Sequence, residues 1–313
     1  MPTASATCAS RRSLLFGPLA TLSCLPGFTE AATASIEPDP PKACSSCDSW
    51  NEPQEPFQVF GNTYYVGTAG LSSILIVSKA GLILLDGALP QSAPLIADNI
   101  HKLGFRIEDV RLIVNSHTHY DHAGGIATLQ RMSGAVVAAS PASALALKKG
   151  APTEDDPQFA FGPVHNGFPA IPEVRVVADG ETLRVGDLGI TARFTPGHTP
   201  GGTSWSWRSC EGKRCLEVVY ADSLNAVSAP GFRFTGTKSL DSSIARVEAF
   251  SCDVLLSPHP DFFGMEAKLQ KRLQTPKENP FVDPQGCKAY AAAAKQRLER
   301  RLADESAAST PGS

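Results

Sequence analysis

His117-Thr118-His119-Tyr120-Asp121-His122 places four potential metal ligands within six residues. Burying that many imidazole and carboxylate groups is costly unless a cation compensates their lost hydration. His117 and His119, two residues apart, project to the same side of an extended segment. A turn at Asp121 and His122 aims the next pair at an adjacent point, so two neighbouring metals follow from the spacing. Five of the seven histidines fall in three short motifs, the other two being Pro196-Gly197-His198-Thr199-Pro200-Gly201 and Ser257-Pro258-His259-Pro260. Imidazole and carboxylate donors without cysteine suit Zn²⁺ or another borderline divalent ion, and the lack of a redox-specific ligand set favours hydrolysis over oxygen chemistry. The competing reading is a solvated histidine-rich loop, but so dense a set of donors at the end of a strand is the arrangement of a catalytic site.

The elements that must position these donors can be read from hydrophobic periodicity. Runs at 63–66, 73–77 and 82–85, with Lys79-Ala80-Gly81 as a turn, predict an antiparallel meander. Leu95, Ile96, Ile100 and Leu103 share one face of a helix that Gly104 can end, and 110–114 follows as a buried strand leading into the first histidine motif. A helix after Gly124, a strand at 135–139, a helix at 142–149 and strands between 174 and 194 come next. The second half predicts strands at 203–207 and 218–221, a helix around 239–250, a strand at 253–256 and a last helix at 287–302. Two β-rich sheets with helices outside them is the simplest packing of such a list. Trp205 and Trp207 alternate with serine, which puts at least one in the core. Tyr290, Ala294, Leu298 and Leu302 at i+4 spacing read as packing of the last helix. His101 reads as a solvated helix face, and His165 as part of a surface loop.

The chain has 313 residues, 42% hydrophobic and 19% charged, enough apolar material for a sizeable core and too little charge for disorder. Its formal charge of −3, with no basic run outside the last helix, disfavours a nucleic-acid partner. Residues 1–34 read as a signal peptide: Arg11 and Arg12, an apolar run from Leu14 to Ala20 broken by Pro18, then small residues ending Ala31-Ala32-Thr33-Ala34. The order Ser10-Arg11-Arg12-Ser13-Leu14-Leu15 fits a twin-arginine signal, and a plain secretory signal fits equally. Either implies export to the periplasm and no membrane span in the mature chain. Residues 35–56, rich in Pro, Ser and acidic groups, read as an N-terminal tail, 57–305 as a single folded domain and 306–313 as a disordered tail. A monomer is the expected state. Six cysteines remain after the signal, an even number that favours disulfides in an oxidising compartment. Cys210 and Cys215 flank a hairpin turn, and a bond between Cys252 and Cys287 would tie the last helix to the core. Cys44-Ser45-Ser46-Cys47 has the spacing of a zinc knuckle or redox site but lacks a second CxxC or a βαβ context.

The histidine motif followed by Gly124-Gly125, together with the other two motifs, resembles the signature of the metallo-β-lactamase superfamily. Within it, the HxHxDH set and a serine after Ala221-Asp222 resemble subclass B3. The likeness runs over about residues 50–302, nearly the whole mature chain, and implies an α/β, αββα sandwich with two mixed sheets face to face. It further implies that His117, His119 and His198 bind one zinc ion and that Asp121, His122 and His259 bind a second. Asp86, in Leu84-Leu85-Asp86-Gly87, then supports the ligands from behind. The implied activity is opening of the amide bond in penicillins, cephalosporins and carbapenems by a zinc-activated hydroxide that Asp121 orients. Ser223, Asn225 and Gln158 match substrate contacts, Asn225 standing where serine or threonine is usual. The stretch between Phe234 and Ser239 is shorter than in the family, which leaves one wall of the substrate groove in question. A third disulfide found in the subclass has its second cysteine at the position of Ala69, so a local Cys44–Cys47 bond becomes an option. In glyoxalase-like and lactonase-like members an aspartate of this motif bridges two metals, a part Asp222 could take. Other esters, thioesters or lactones as substrates, and a non-catalytic exported zinc-binding protein, are the alternatives to a β-lactamase.

Overall fold

A computed structural model describes residues 37–308. The signal peptide expected over 1–34, with Arg11, Arg12, Cys8 and Cys24, lies outside the described residues, as do 309–313. Twelve strands among the described residues form two sheets. The first runs in sequence order through β1 (Phe57–Phe60), β2 (Thr63–Tyr65), β3 (Ile74–Ser78), β4 (Gly81–Leu85), β5 (Val110–Val114), β6 (Val136–Ala139) and β7 (Arg175–Val176). The second has the order β12 (Val254–Leu256), β11 (Arg214–Tyr220), β10 (Thr203–Glu211), β9 (Leu188–Phe194) and β8 (Thr182–Val185). Strands β4 to β7 pair in parallel, as do β11 and β12, and the remaining neighbours are antiparallel.

Period-two alternation separates the two faces of the first sheet. Ile74, Ile76, Ile83, Leu85 and Val114 join a core with Ile190, Ala192, Trp205, Trp207 and Val218 of the second sheet. Leu75, Leu82, Leu84, Ile113 and Val137 face the other way, onto the helices Ala93–Lys102, Ile126–Ser133 and Pro141–Lys149. Because β4 and most of β5 are covered on both sides, they read as apolar runs, Leu82–Leu85 and Leu112–Val114, with only Arg111 of β5 exposed. The helices Ser239–Glu248 and Gly286–Ala307 bring Leu240, Ile244, Val247, Ala294 and Leu298 into the core of the second sheet. The order is thus helix, sheet, sheet, helix, the αββα sandwich expected. Both tryptophans are buried, Trp205 donating its indole N–H to the Asn115 carbonyl and Trp207 to the Thr63 hydroxyl.

Cys210 and Cys215 face each other across the β10–β11 hairpin and are bonded, and Cys252 is bonded to Cys287. Cys44 pairs locally with Cys47. Three local readings are corrected. Part of the expected N-terminal tail is docked: residues Cys47–Trp50 form a helical turn with Cys47 buried, Asp39 pairs with Arg131, and the Lys42 ammonium donates to the carbonyls of Val164 and Gly167. The last helix continues to Ala307, past the expected start of the C-terminal tail, with an Arg301–Glu305 pair one turn apart. A helix at Met265–Gln274 was not anticipated, because its apolar stripe is only Met265, Leu269 and Leu273 among charged and polar residues, and of these Met265 alone is fully buried. Among the described residues no helix is long and apolar enough to cross a membrane.

Candidate metal centre

The ligands collect where strands end. β5 stops at Val114, and after an extended segment the expected turn at Asp121 and His122 is a single turn of helix, Tyr120–Ala123. His198 lies in the connection between β9 and β10, and His259 follows β12. Ligand atoms of His117, His119 and His198 lie within 4.8 Å of one another, and so do those of Asp121, His122 and His259. The two triads adjoin, with the rings of His117 and His122 4.3 Å apart. All six sequence-identified ligands are therefore brought together, and all but the partly buried His259 are buried.

In four of the five rings the free nitrogen follows from what the other nitrogen touches; His122 is the exception, with Nδ1 as well as Nε2 buried and without a hydrogen-bond partner among the described residues. His117 Nδ1 is 2.7 Å from Asp222 Oδ1, His198 Nδ1 is 2.9 Å from the Asn225 carbonyl, and His259 Nδ1 is 3.3 Å from the Gly70 carbonyl. His119 is reversed, with Nε2 3.2 Å from Asp156 Oδ1 and Nδ1 turned toward Gln158 at 3.5 Å. An N–H donated outward leaves a lone pair facing inward. His117 Nε2 and His122 Nε2 are buried with no hydrogen-bond partner. His122 Nε2 does lie 3.1 Å from Asp121 Oδ2, but without hydrogen-bond alignment, as when both atoms address a common third point. Orphaned buried acceptors are uncommon, and a cation in each triad would satisfy these.

Electrostatics agree with that donor set. Burial, followed by the neighbouring imidazoles His122, His198 and His119, holds His117 well below the usual histidine range, and burial followed by His119 brings His198 down to about 3. Both rings are neutral and ready to ligate near pH 7. Burial alone would raise Asp121, but His122 and His259 beside it hold its carboxyl well below the usual range, so it is ionised.

Asp86, at φ 61°, accepts from the Ser116 amide at 2.7 Å, the Ser116 hydroxyl at 2.6 Å, Asn115 Nδ2 at 3.0 Å and the Tyr220 hydroxyl at 2.9 Å. Among the described residues its side chain makes no hydrogen bond to a ligand side chain, and it instead fixes the segment entering His117. Asp222 sits behind His117, within hydrogen-bond reach of Nδ1, which is a different place from a bridge between two metals. Gly202 is required beside it, since a Cβ there would come within 2.6 Å of Asp222 Oδ2. Ser223 Oγ and Asn225 Oδ1 are buried polar atoms with no hydrogen-bond partner among the described residues. Gln158 lines a cavity of about 460 Å³ with Tyr120, Phe161, His165 and Asn166. His165 and His101 are exposed. The segment 221–238 has no strand or helix, yet Glu305 accepts the amides of Phe234 and Thr235 at 2.9 Å. Burial opposes its ionisation, but Thr235, Phe234 and Arg301 outweigh this and bring Glu305 down to about 2.

Sequence reading missed Asp156. It precedes Gln158 by two residues, and a lone loop aspartate gives no signal until the fold sets it against His119.

A four-layered sandwich with two adjoining triads of imidazole and carboxylate donors at strand ends has the architecture of a metal-dependent hydrolase site. Residues 67–215 match the family model described as the metallo-beta-lactamase superfamily. The solved structure of the Rm3 metallo-beta-lactamase is 50% identical, the match covering 84% of this chain and 99% of that one with a TM-score of 0.81. MEM-A1, a subclass B3 metallo-beta-lactamase from a soil metagenome library, is 49% identical over 82% of this chain and 99% of its own, with a TM-score of 0.79. SMB-1, solved in a complex with mercaptoacetic acid, is 44% identical over 82% and 99%, with a TM-score of 0.77. The chain belongs to the metallo-β-lactamase superfamily, among the subclass B3 enzymes.

Proposed function

We propose that the protein is an exported, periplasmic, monomeric zinc β-lactamase with two ions per chain, opening the β-lactam amide of penicillins, cephalosporins and carbapenems. The observation that carries this reading is the paired donor set, with neutral inward-facing imidazoles in one triad and an ionised carboxylate in the other. Nitrogen and oxygen donors without thiolate, with three imidazoles in one triad, suit zinc in a site that keeps a position for water. A bound pair of such ions supplies Lewis acidity and lowers the pKa of water enough to provide a nucleophile near pH 7.

The chain's own residues do the rest. His117, His119 and His198 form one donor set, while Asp121, His122 and His259 form the other. Ionised Asp121 accepts a hydrogen bond from the attacking water and orients it toward the carbonyl. The Ser223 hydroxyl, unpartnered among the described residues, and the Asn225 side-chain amide N–H, on the loop beside His198, would donate to the substrate carboxylate, and Gln158 lies on the other side, next to His119. Three disulfides support the exported location.

The purified mature protein should hydrolyse a carbapenem, lose that activity with a chelator and regain it with zinc, while turning over a thioester and a lactone poorly. Two bound metals without turnover of any β-lactam would sink the reading, and preferential turnover of the thioester or lactone would reassign the substrate.

A further inference from the structure

The turn 222–224 carries the aspartate behind His117 and the serine offered to substrate, yet it lies outside regular structure: β11 ends at Tyr220 and the next helix begins at Ser239. The Asp222 amide N–H donates to Ser204 Oγ of β10 at 3.0 Å, and the anchor on the far side is Tyr290, in the last helix. The Tyr290 hydroxyl donates to the Asp222 carbonyl at 2.9 Å and accepts the Leu224 amide N–H at 3.1 Å, so one oxygen grips the backbone on both sides of Ser223. Asp222, Ser223, Leu224 and Tyr290 are all buried, which leaves no water to replace the phenol. Tyr290 is itself fixed. Cys287, one turn earlier, is bonded to Cys252, and the Phe262 ring lies 6.0 Å away, packed in turn against His259 at 5.5 Å. Burial, with Asp222 nearby, pushes its hydroxyl up to about 12, so it remains a donor.

We infer that Tyr290 is a positioning residue for the whole centre: through Asp222 it sets the ring of His117 for metal, and through Leu224 it sets Ser223 for substrate. The i+4 packing of Tyr290 with Ala294 and Leu298 accounts for its burial but not for a hydroxyl that bridges two main-chain groups of one turn. This inference rests on the dinuclear hydrolase reading, and its test includes a measurement independent of β-lactam turnover.

The test is Tyr290→Phe, which keeps the ring and removes the bridge. Zinc affinity of the chelated protein is measured by competition with a chromophoric chelator. Removing outer partners of metal ligands costs about 10- to 100-fold in affinity, and Tyr290, one step further out, should sit near the tenfold end for the three-histidine triad. Substrate KM should rise more than kcat falls. Tyr290→Phe placed in an Asp222→Asn background should weaken zinc by much less than it does alone, since the path through Asp222 is already cut. A variant with a lower melting temperature but unchanged zinc affinity and KM would make Tyr290 a packing residue and overturn the inference, as would full additivity with Asp222→Asn. Should Tyr290→Phe fail to fold, 3-fluorotyrosine at 290 keeps the shape while making the hydroxyl a stronger donor and weaker acceptor. It must then shift KM or the visible spectrum of the cobalt-loaded protein, and no shift in either overturns the inference. Zinc affinity reports on Tyr290 even if the substrate proves not to be a β-lactam.

Discussion

Asp156 offers a direct test of how this centre selects its nitrogen donors. Its Oδ1 is the only described partner of His119 Nε2, at 3.2 Å, and it also accepts the Gln158 amide at 2.8 Å. Both side chains are almost fully buried, at 4% exposed for His119 and 3% for Asp156. Asp156→Ala removes the acceptor that keeps the proton on Nε2 and the lone pair on Nδ1, so metal binding must first pay for selecting the tautomer and orienting the ring. Loss of such a partner typically weakens metal affinity about 10- to 100-fold, or roughly 1.4 to 2.7 kcal/mol. Asp156→Asn retains a carbonyl acceptor and loses only the charge. A hydrogen bond to a charged group is worth about 1 kcal/mol more than a neutral one, so the asparagine variant should lose about fivefold. Both are read by zinc titration of the chelated protein against a competing chelator, with circular dichroism to confirm the fold. Alanine and asparagine variants that bind zinc as tightly as wild type would refute the argument that outer acceptors set the tautomers here. An asparagine variant as impaired as alanine would show that charge, not acceptor geometry, is what His119 needs.

Two further perturbations test the electrostatics and the frame. Burial takes His198 from its ordinary value near 6.5 down to about 3, so between those pH values the unfolded chain binds a proton that the folded metal-free chain does not. Stability from this group is present above pH 6.5 and declines as pH falls, by about 1.4 kcal/mol per unit. Urea unfolding of chelated wild type should therefore lose about 2 kcal/mol more than His198→Gln between pH 6.5 and 4.5, and parallel pH profiles would contradict it. Comparison with the variant matters because Asp86 and Asp222, both raised chiefly by burial, contribute with the opposite sign in the same window. The Cys252–Cys287 bond closes a loop with a sequence separation of 35 residues. Loop entropy gives that bond about 4 kcal/mol, so Cys252→Ser with Cys287→Ser should lower the melting temperature by about 8 to 15 °C; a drop below about 2 °C would show that packing alone holds the last helix.

What could be read from the sequence was what is local. His117, His119, Asp121 and His122 declare themselves because four donors sit within six residues behind an apolar strand, and β3, β4 and β5 because their apolar runs are short and bounded by turns. Residues that act across the fold gave no such signal. Asp156 reaches His119 across 37 positions and Tyr290 reaches Asp222 across 68, and in sequence one is a loop acid and the other a helix-packing aromatic. The N-terminal segment looked like a tail because Lys42 works through carbonyls more than 120 positions away. Asn225 was legible as a polar loop residue, but its main-chain carbonyl, the group that holds His198, is a property no side-chain reading can reveal.

The placement of the centre follows from strand direction. In sheets with parallel strands, ligands bind beyond the carboxyl ends, and here Asp86 follows β4, His117 follows β5, Asp222 follows β11 and His259 follows β12. β4 with β5 belongs to one sheet and β11 with β12 to the other, so a shift of one sheet against the other would pull the triads apart. Asp86 opposes such a shift: its carboxylate accepts from Ser116 after β5 and from Tyr220 at the end of β11, joining the two sheets 2.6 and 2.9 Å from a single oxygen. A positive φ at a non-glycine residue is a strained conformation that survives only where surrounding contacts demand it, and the four bonds of Asp86 supply that demand. The candidate metal ligands can therefore lie in loops and still be held in place, because each loop is bonded from behind to a strand end, a helix or the opposite sheet.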